Sequence, residues 1–227
     1  FVEWYLDVIH PVHCLTCVMS HPPVEPANAV LDGLWRYMWA NRTEGNTFGG
    51  PFVDLASVQA AGVATPLESV PVAERILITD ATWTGSEERS LKAYAIKWMG
   101  GTLMHRLKSI HAIMPSSFSA ESEALHDGIE AGNYITATLA ELTPVDTPTL
   151  TLVDNEGLVK TAKERSKGGS KLHRRKLGII MENVRAEKYQ VFHTPDVQMS
   201  VDFMTKIVSA KKLQKSVAWL RNTAHRV

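Results

Sequence analysis

Four carboxylates stand where a strand ends or a helix begins. Asp80 follows the apolar run Ile76-Leu77-Ile78, and Asp154 closes "TLTLVD". Glu121 falls in the first turn of a long helical stretch, and Asp202 opens another in "SVDFMTK". Each acid has a plain structural explanation. Asp80 could cap a turn, Glu121 and Asp202 could complement a helix dipole, and Asp154 could cap the helix after it. The order strand, helix, strand, helix is more informative than any one of them, because strand ends and helix starts converge at one edge of an α/β sheet. Carboxylates gathered there repel one another unless a cation compensates. Hard oxygen donors that leave room for water and phosphate suit Mg²⁺, with Mn²⁺ as a substitute. Such a site matches two-metal phosphoryl chemistry, in which the ions lie about 3.5–4 Å apart and no side-chain nucleophile is needed. Ser116, Ser117 and Ser119 have no His and Asp in a recognisable order, which argues against a serine hydrolase.

The elements that must position these acids follow from hydrophobic periodicity. "RILITD" reads as a buried strand and "LKAYAIKWM" as a second; "TLMHRLKSIHAIM" can hold a hairpin and a third. "SAESEALHDGIEAGNYITATLAEL" is helical, with Ala120, Ala124, Ile129, Ala131, Ile135 and Leu139 on an apolar face. "TPTLTLVD" is a fourth strand and "YQVFHTP" a fifth, with helices from "NEGLVKTAKER" and "LGIIMENVRAEK" between them. "SVDFMTKIVS" opens a closing helix that runs into "KKLQKSVAWLRN". The expectation is an α/β fold with a mixed sheet.

Before residue 75 the pattern differs. Residues 1–48 read as a small helical segment, with Val30, Leu34, Tyr37 and Met38 at helical spacing. Residues 49–74, rich in Gly and Pro, read as a linker to a domain covering 75–227. Cys14 and Cys17 form C-x-x-C beside His10, His13 and His21. The pattern suits a structural zinc or, more simply, small thiols on a buried helical side. The free cysteines point to a reducing compartment. The first residues carry neither Met nor a signal-peptide pattern, which suggests a piece of something longer.

Among 227 residues, 44% are hydrophobic and 21% charged, as in an ordinary globular protein. Lys+Arg and Asp+Glu balance at 24 each, so local rather than net charge must reveal a polyanionic partner. No apolar run approaches the roughly 18 residues a membrane span needs. The local charge is in "KTAKERSKGGSKLHRRK", residues 160–176, with eight Lys/Arg and one Glu. A solvated surface is the ordinary fate of such a run. The reading favoured here is a patch that tracks phosphates, made by Lys160, Lys163, Arg165, Lys167, Lys171, Arg174, Arg175 and Lys176.

The motifs resemble the C-terminal part of a copia-type (Pseudoviridae) retrotransposon polyprotein, where the end of the reverse transcriptase is followed by a ribonuclease H domain. The family's S-D-A-D-W-A-G is matched by Thr79-Asp80-Ala81-Thr82-Trp83-Thr84-Gly85, and its S-S-T-E-A-E-Y-x-A-L by Ser116 through Leu125. D-N-Q-S-A is similar to Asp154-Asn155-Glu156-Gly157-Leu158, and A-D-x-L-T-K to Val201-Asp202-Phe203-Met204-Thr205-Lys206. Fainter echoes lie at Arg89-Ser90, Gly100-Gly101, Tyr5-Leu6, His10-Pro11 and Trp35-Arg36-Tyr37-Met38. There are departures: Thr82 replaces the family's second Asp, and no Y-x-D-D polymerase motif is present. "KLHRRKLG" also loses the acid and the last histidine of the family's K-H-I-D-I-R-Y-H.

The resemblance implies a ribonuclease H-like fold, a five-stranded mixed sheet with helices on both faces, preceded by a connection- or thumb-like segment. It implies two Mg²⁺ ions on Asp80, Glu121, Asp154 and Asp202, hydrolysing the RNA strand of RNA–DNA hybrids in a cytoplasmic particle or the nucleus. The alternative is a catalytically silent fragment kept as an RNA-binding subunit of a large ribonucleoprotein, such as an organellar ribosome. Its partners would then be structured RNA and neighbouring proteins in an organellar matrix.

Overall fold

The computed structural model describes residues 75–84, 89–164, 171–196 and 199–222, together with Asp32, Arg36, Trp39, Asn46 and Phe48. Asp32, Arg36 and Trp39 are helical. Asn46 and Phe48, at the end of the expected helical segment, are in neither helix nor strand. The remaining residues of that segment, the whole linker and the Cys14/Cys17 pair lie outside the described residues.

Five strands form one sheet: β1 (Arg75–Thr82), β2 (Leu91–Trp98), β3 (Gly101–Ser109), β4 (Thr149–Val153) and β5 (Tyr189–His193). Their order is β3-β2-β1-β4-β5. β1 pairs antiparallel with β2, and β2 with β3, while β4 runs parallel to both β1 and β5. The sheet is therefore mixed, with β1 at its centre. Every residue of β1 except the last is buried, because both faces of a central strand are covered and no polar face is needed.

Side-chain alternation divides the sheet between two cores. Ile76, Ile78, Ala93, Ala95, Leu150, Leu152 and Phe192 pack on one face. Leu77, Tyr94, Ile96, Val153 and Val191 pack on the other. Fully burying each aliphatic side chain of this kind contributes about 1.5–3 kcal/mol. The second face is covered by α1 (Ser117–Ala140), α2 (Glu156–Glu164) and α3 (Lys171–Arg185), through Leu125, Ile129, Leu158 and Leu177. The first face is covered by α4 (Asp202–Thr205) and α5 (Ala210–Arg221), through Phe203, Met204, Val217 and Leu220. Helices thus lie on both faces of a five-stranded mixed sheet, the architecture expected from the sequence.

Local chemistry sets the boundaries. Met99 (φ 47°) and Gly100 (φ 86°) form the two-residue turn between β2 and β3, with both residues in the left-handed region that a tight hairpin demands. The hairpin therefore lies before "TLMHRLKS", which is one strand and holds no further turn. Ser116 caps α1 by accepting the Ser119 N–H at 3.3 Å. A Cβ on Gly128 would lie 2.9 Å from Leu77 Cδ1, so the glycine lets α1 lie close on β1.

The expected single closing helix is two. Lys206 takes an extended conformation (φ −134°, ψ 156°) after α4, and the Ser209 side chain starts α5 by accepting the Lys212 N–H at 3.3 Å. Serine competes for backbone donors at a helix start, and here that preference breaks the run.

Candidate metal centre

Strand parity brings the first two acids together. Asp80 continues the Ile76, Ile78 face of β1, and Asp154 continues the Leu150, Leu152 face of β4. The parallel register pairs Ile78 with Leu152 and Thr79 with Val153, so Asp80 and Asp154 are the next residues of adjacent strands. Both therefore emerge at one rim, on the face that α4 covers. α4 delivers Asp202 to the same place, and one carboxylate oxygen from each of Asp80, Asp154 and Asp202 lies within 4.8 Å of the others.

Glu121 arrives from the opposite face. It lies in the second turn of α1, beyond the first turn expected for it, so it does not complement the helix dipole. Its Oε1 accepts the Ala81 N–H at 3.0 Å, which ties α1 to the end of β1. Its Oε2 is buried and has no hydrogen-bond partner. Asp154 does not cap α2. That part falls to Asn155, whose Oδ1 accepts the Leu158 N–H at 3.0 Å.

The electrostatics are those of crowded, buried negative charge. Two carboxylates about 4 Å apart near a protein surface repel by on the order of 4 kcal/mol. Burial first, then Asp80 and Asp154, push the Glu121 carboxyl well above its ordinary range. Burial and Asp80 push Asp154 up to about 7, and burial with Asp80 pushes Asp202 up to about 6.

Several neighbours went unread in the sequence. Lys206 Nζ stands 3.3 Å from Asp80 Oδ1, 3.4 Å from Asp202 Oδ1 and 4.0 Å from Asp154 Oδ2. It also reaches Asp196 Oδ1 at 3.2 Å. Lys212 pairs with Asp202 Oδ2 and donates to the Asp196 carbonyl at 2.7 Å. The Thr205 hydroxyl donates to Asp80 Oδ2, and His193 Nε2 donates to the Asp154 carbonyl oxygen at 3.0 Å. Burial works against charge on Lys206, but Asp80, Asp202 and Asp154 outweigh it and hold its ammonium protonated beyond the usual lysine range. The i,i+4 spacing of Asp202 and Lys206 was a legible signal for one of these contacts.

The last part of the basic stretch packs against the start of α1. His173, on the first turn of α3, meets the Phe118 ring edge-on at 5.7 Å, and Phe118 opens α1. Its cations are put to different uses. Lys176 turns inward to Glu123 Oε1 at 2.6 Å, and Lys160 pairs with Glu156 at 2.8 Å on α2. The Lys163 ammonium lies 5.1 Å over the Phe192 ring. Arg174 and Arg175 are exposed on α3. Arg165, Lys167 and the Lys171 side chain lie outside the described residues.

No protein-family model matches the sequence, and no curated protein matches it. Solved ribonuclease H structures are similar to the chain. LC11-RNase H1, solved in complex with an RNA/DNA hybrid, is 19% identical with a TM-score of 0.45, over 55% of this chain and 88% of its own. The N-terminal RNase H domain of a Mycobacterium tuberculosis protein is 13% identical with a TM-score of 0.45, over 64% and 96%. RNase H1 from Halobacterium salinarum is 12% identical with a TM-score of 0.42, over 67% and 98%. Among the described residues, no helix is long and apolar enough to cross a membrane.

Proposed function

We propose that this chain is a ribonuclease H-like nuclease, cutting the RNA strand of RNA–DNA hybrids with two divalent ions, and that it derives from a copia-type retroelement. The observation that carries the reading is the convergence of Asp80, Asp154 and Asp202 at one rim, with Glu121 beside them and its Oε2 buried without a partner. An all-carboxylate donor set fits a hard cation, and Mg²⁺ before softer metals. Asp80 and Asp154 would hold both ions, Glu121 one of them, and Asp202 the second. The chemistry that bound ions supply is activation of a water and stabilisation of the departing oxygen.

The chain's own residues do the rest. The Ala81 N–H fixes Glu121, Thr205 fixes Asp80, and Lys212 fixes Asp202, so the donors are aimed before any ligand arrives. Arg174 and Arg175, at the start of α3 beside the start of α1, would hold the backbone of a hybrid without reading its sequence.

The test is cleavage of a labelled RNA–DNA hybrid in Mg²⁺ by the full chain, run beside Asp80→Asn. Cleavage lost in the variant with its fold retained supports the reading. Cleavage at the wild-type rate in the variant refutes the assignment. Stable co-purification with an RNA particle, with no cleavage in Mg²⁺ or Mn²⁺, selects the silent ribonucleoprotein subunit instead.

A further inference from the structure

The ammonium of Lys206 stands where a cation shared by the acid cluster would stand. It contacts carboxylate oxygens of Asp80, Asp202 and Asp196 at 3.2–3.4 Å and of Asp154 at 4.0 Å. Depth is graded around it. The Asp80 side chain is fully buried and that of Asp202 2% exposed, whereas that of Lys206 is 34% exposed. The lysine therefore lies between the deepest acids and solvent.

The local backbone leaves it free to move outward. α4 ends at Thr205, Lys206 is extended, and Ile207 beyond it is 93% exposed. A lysine stem is flexible, so rotation of its side chain toward solvent leaves the α4 core residues Phe203 and Met204 in place. Lys212 pairs with Asp202 from α5 and does not depend on where Lys206 points.

Resting on the reading of this rim as a divalent-metal centre, we propose that Lys206 is its resident counter-ion. It is a positioning residue that holds the carboxylates together in the metal-free protein and must leave the cluster for a divalent ion to bind. An ammonium and a divalent ion cannot share these oxygens without strong like-charge repulsion. The apparent affinity for metal is then lowered by the fraction of molecules in which the lysine is still seated. The site is kept shaped and quiet until metal displaces its own cation.

The experiment uses the full chain with Mn²⁺ as the probe, by calorimetric titration, and thermal melting in EDTA. Lys206→Gln is expected to bind Mn²⁺ roughly tenfold more tightly than wild type, and to melt at a lower temperature in EDTA. Lys206→Arg, which keeps the charge, is expected to melt like wild type in EDTA and to bind Mn²⁺ no more tightly. A second measurement does not depend on Lys206→Gln folding. In wild-type protein labelled at lysine ¹³Cε, with the resonance assigned through Lys206→Arg, Mg²⁺ should move the Lys206 signal to the position of a solvated lysine. A Lys206 signal unmoved at saturating Mg²⁺, or Mn²⁺ affinity unchanged in Lys206→Gln, overturns the proposal. Asp80→Asn separates the two ideas. If it abolishes Mn²⁺ binding while Lys206→Gln leaves affinity unchanged, only the lysine proposal fails. If it binds Mn²⁺ like wild type, the metal-centre reading fails with it.

Discussion

Two groups of carboxylates lie along the first half of α1, and the chain treats them in opposite ways. Asp80, Glu121, Asp154 and Asp202 crowd together, and burial with mutual repulsion raises the carboxyls of Glu121, Asp154 and Asp202. Glu123 and Asp127 follow on the same helix. Lys92 from β2 reaches both, at 3.5 and 2.7 Å, and Lys176 from α3 reaches Glu123. Burial opposes the charge on Asp127, but His126 and Lys92, with Lys108 nearby, hold it down to about 2.

Proximity alone does not distinguish the two groups. His126, Asp127 and Glu130 also bring donor atoms within 4.8 Å of one another. The difference lies in compensation. In the second group cations already answer the acids and tie β2, α1 and α3 together, so a further ion would meet like charge. In the first, Lys206 and Lys212 face the two strand-end acids, Glu121, Asp202 and Asp196, and one oxygen of Glu121 stays unpartnered.

The largest expected effect breaks the comparison if it fails. Asp80→Asn should lower hybrid cleavage in Mg²⁺ by about three orders of magnitude, the several kcal/mol that metal-borne charge stabilisation supplies. Asp127→Asn should leave cleavage within about twofold, since Asp127 pairs with Lys92 and reaches none of the four clustered acids. Equal losses in the two variants would show that the clusters are not different in kind.

A buried cation sharpens the rule from the other side. Lys97 is buried under α5, its ammonium 3.6 Å over the Trp219 ring and donating to the Trp219 carbonyl, and burial pushes it down to about 7. Between pH 7 and 10.5 the unfolded chain holds a proton that the folded chain lacks, so stability should rise with pH across that window. Lys97→Met should remove the rise and stabilise the neutral-pH fold by a few kcal/mol, because the desolvated charge is gone. Denaturant midpoints of both proteins at about pH 7 and pH 10 decide it. A rise that survives in Lys97→Met would assign it to another group.

Glu121 and Glu123 test the comparison on one helix. Glu121→Gln should cost activity with little change in melting, because its carboxylate faces acids. Glu123→Gln should cost about 1–3 kcal/mol of stability, because Lys92 and Lys176 lose a charged partner in a partly buried place. Melting curves and the hybrid assay on the same two preparations separate the outcomes.

How much of this could be read in advance follows the same line. Asp80 and Asp154 were legible because each extends an apolar strand, and strand parity then fixes the face from which it emerges. The five strands were legible from their apolar runs, and the two cores follow from alternation alone. Lys212 was not legible. It reaches Asp202 only because the chain breaks at Lys206 and restarts at Ser209, and periodicity through "SVDFMTKIVSAKKLQKSVAWL" conceals that break. The serine cap was its one local signal. Nor could the basic run be apportioned, since Lys176 turns inward to an acid 53 residues away, and sequence spacing carries no trace of that contact.

The smallest effect is the most direct reading of compensation. Asp127 is held at about 2 against an ordinary 3.8. A carboxyl depressed on folding contributes stability that is fully present above its unfolded value and lost as pH falls through its folded one. Above about pH 4 the folded and unfolded chains both carry the ionised form, and the pairing with Lys92 is at full strength. Below it the unfolded chain takes up the proton first, and the advantage drains away toward about pH 2. After allowance for solvent screening the contribution is about 1 kcal/mol. Other acids titrate in the same range, so the quantity to measure is the difference in denaturant midpoint between wild type and Asp127→Asn, followed from about pH 5 to about pH 2. It should be largest at the upper end and close toward zero at the lower. A difference that stays constant would mean that the Asp127→Asn protein is weakened by shape rather than by charge, and the contrast between the two clusters would lose its electrostatic basis.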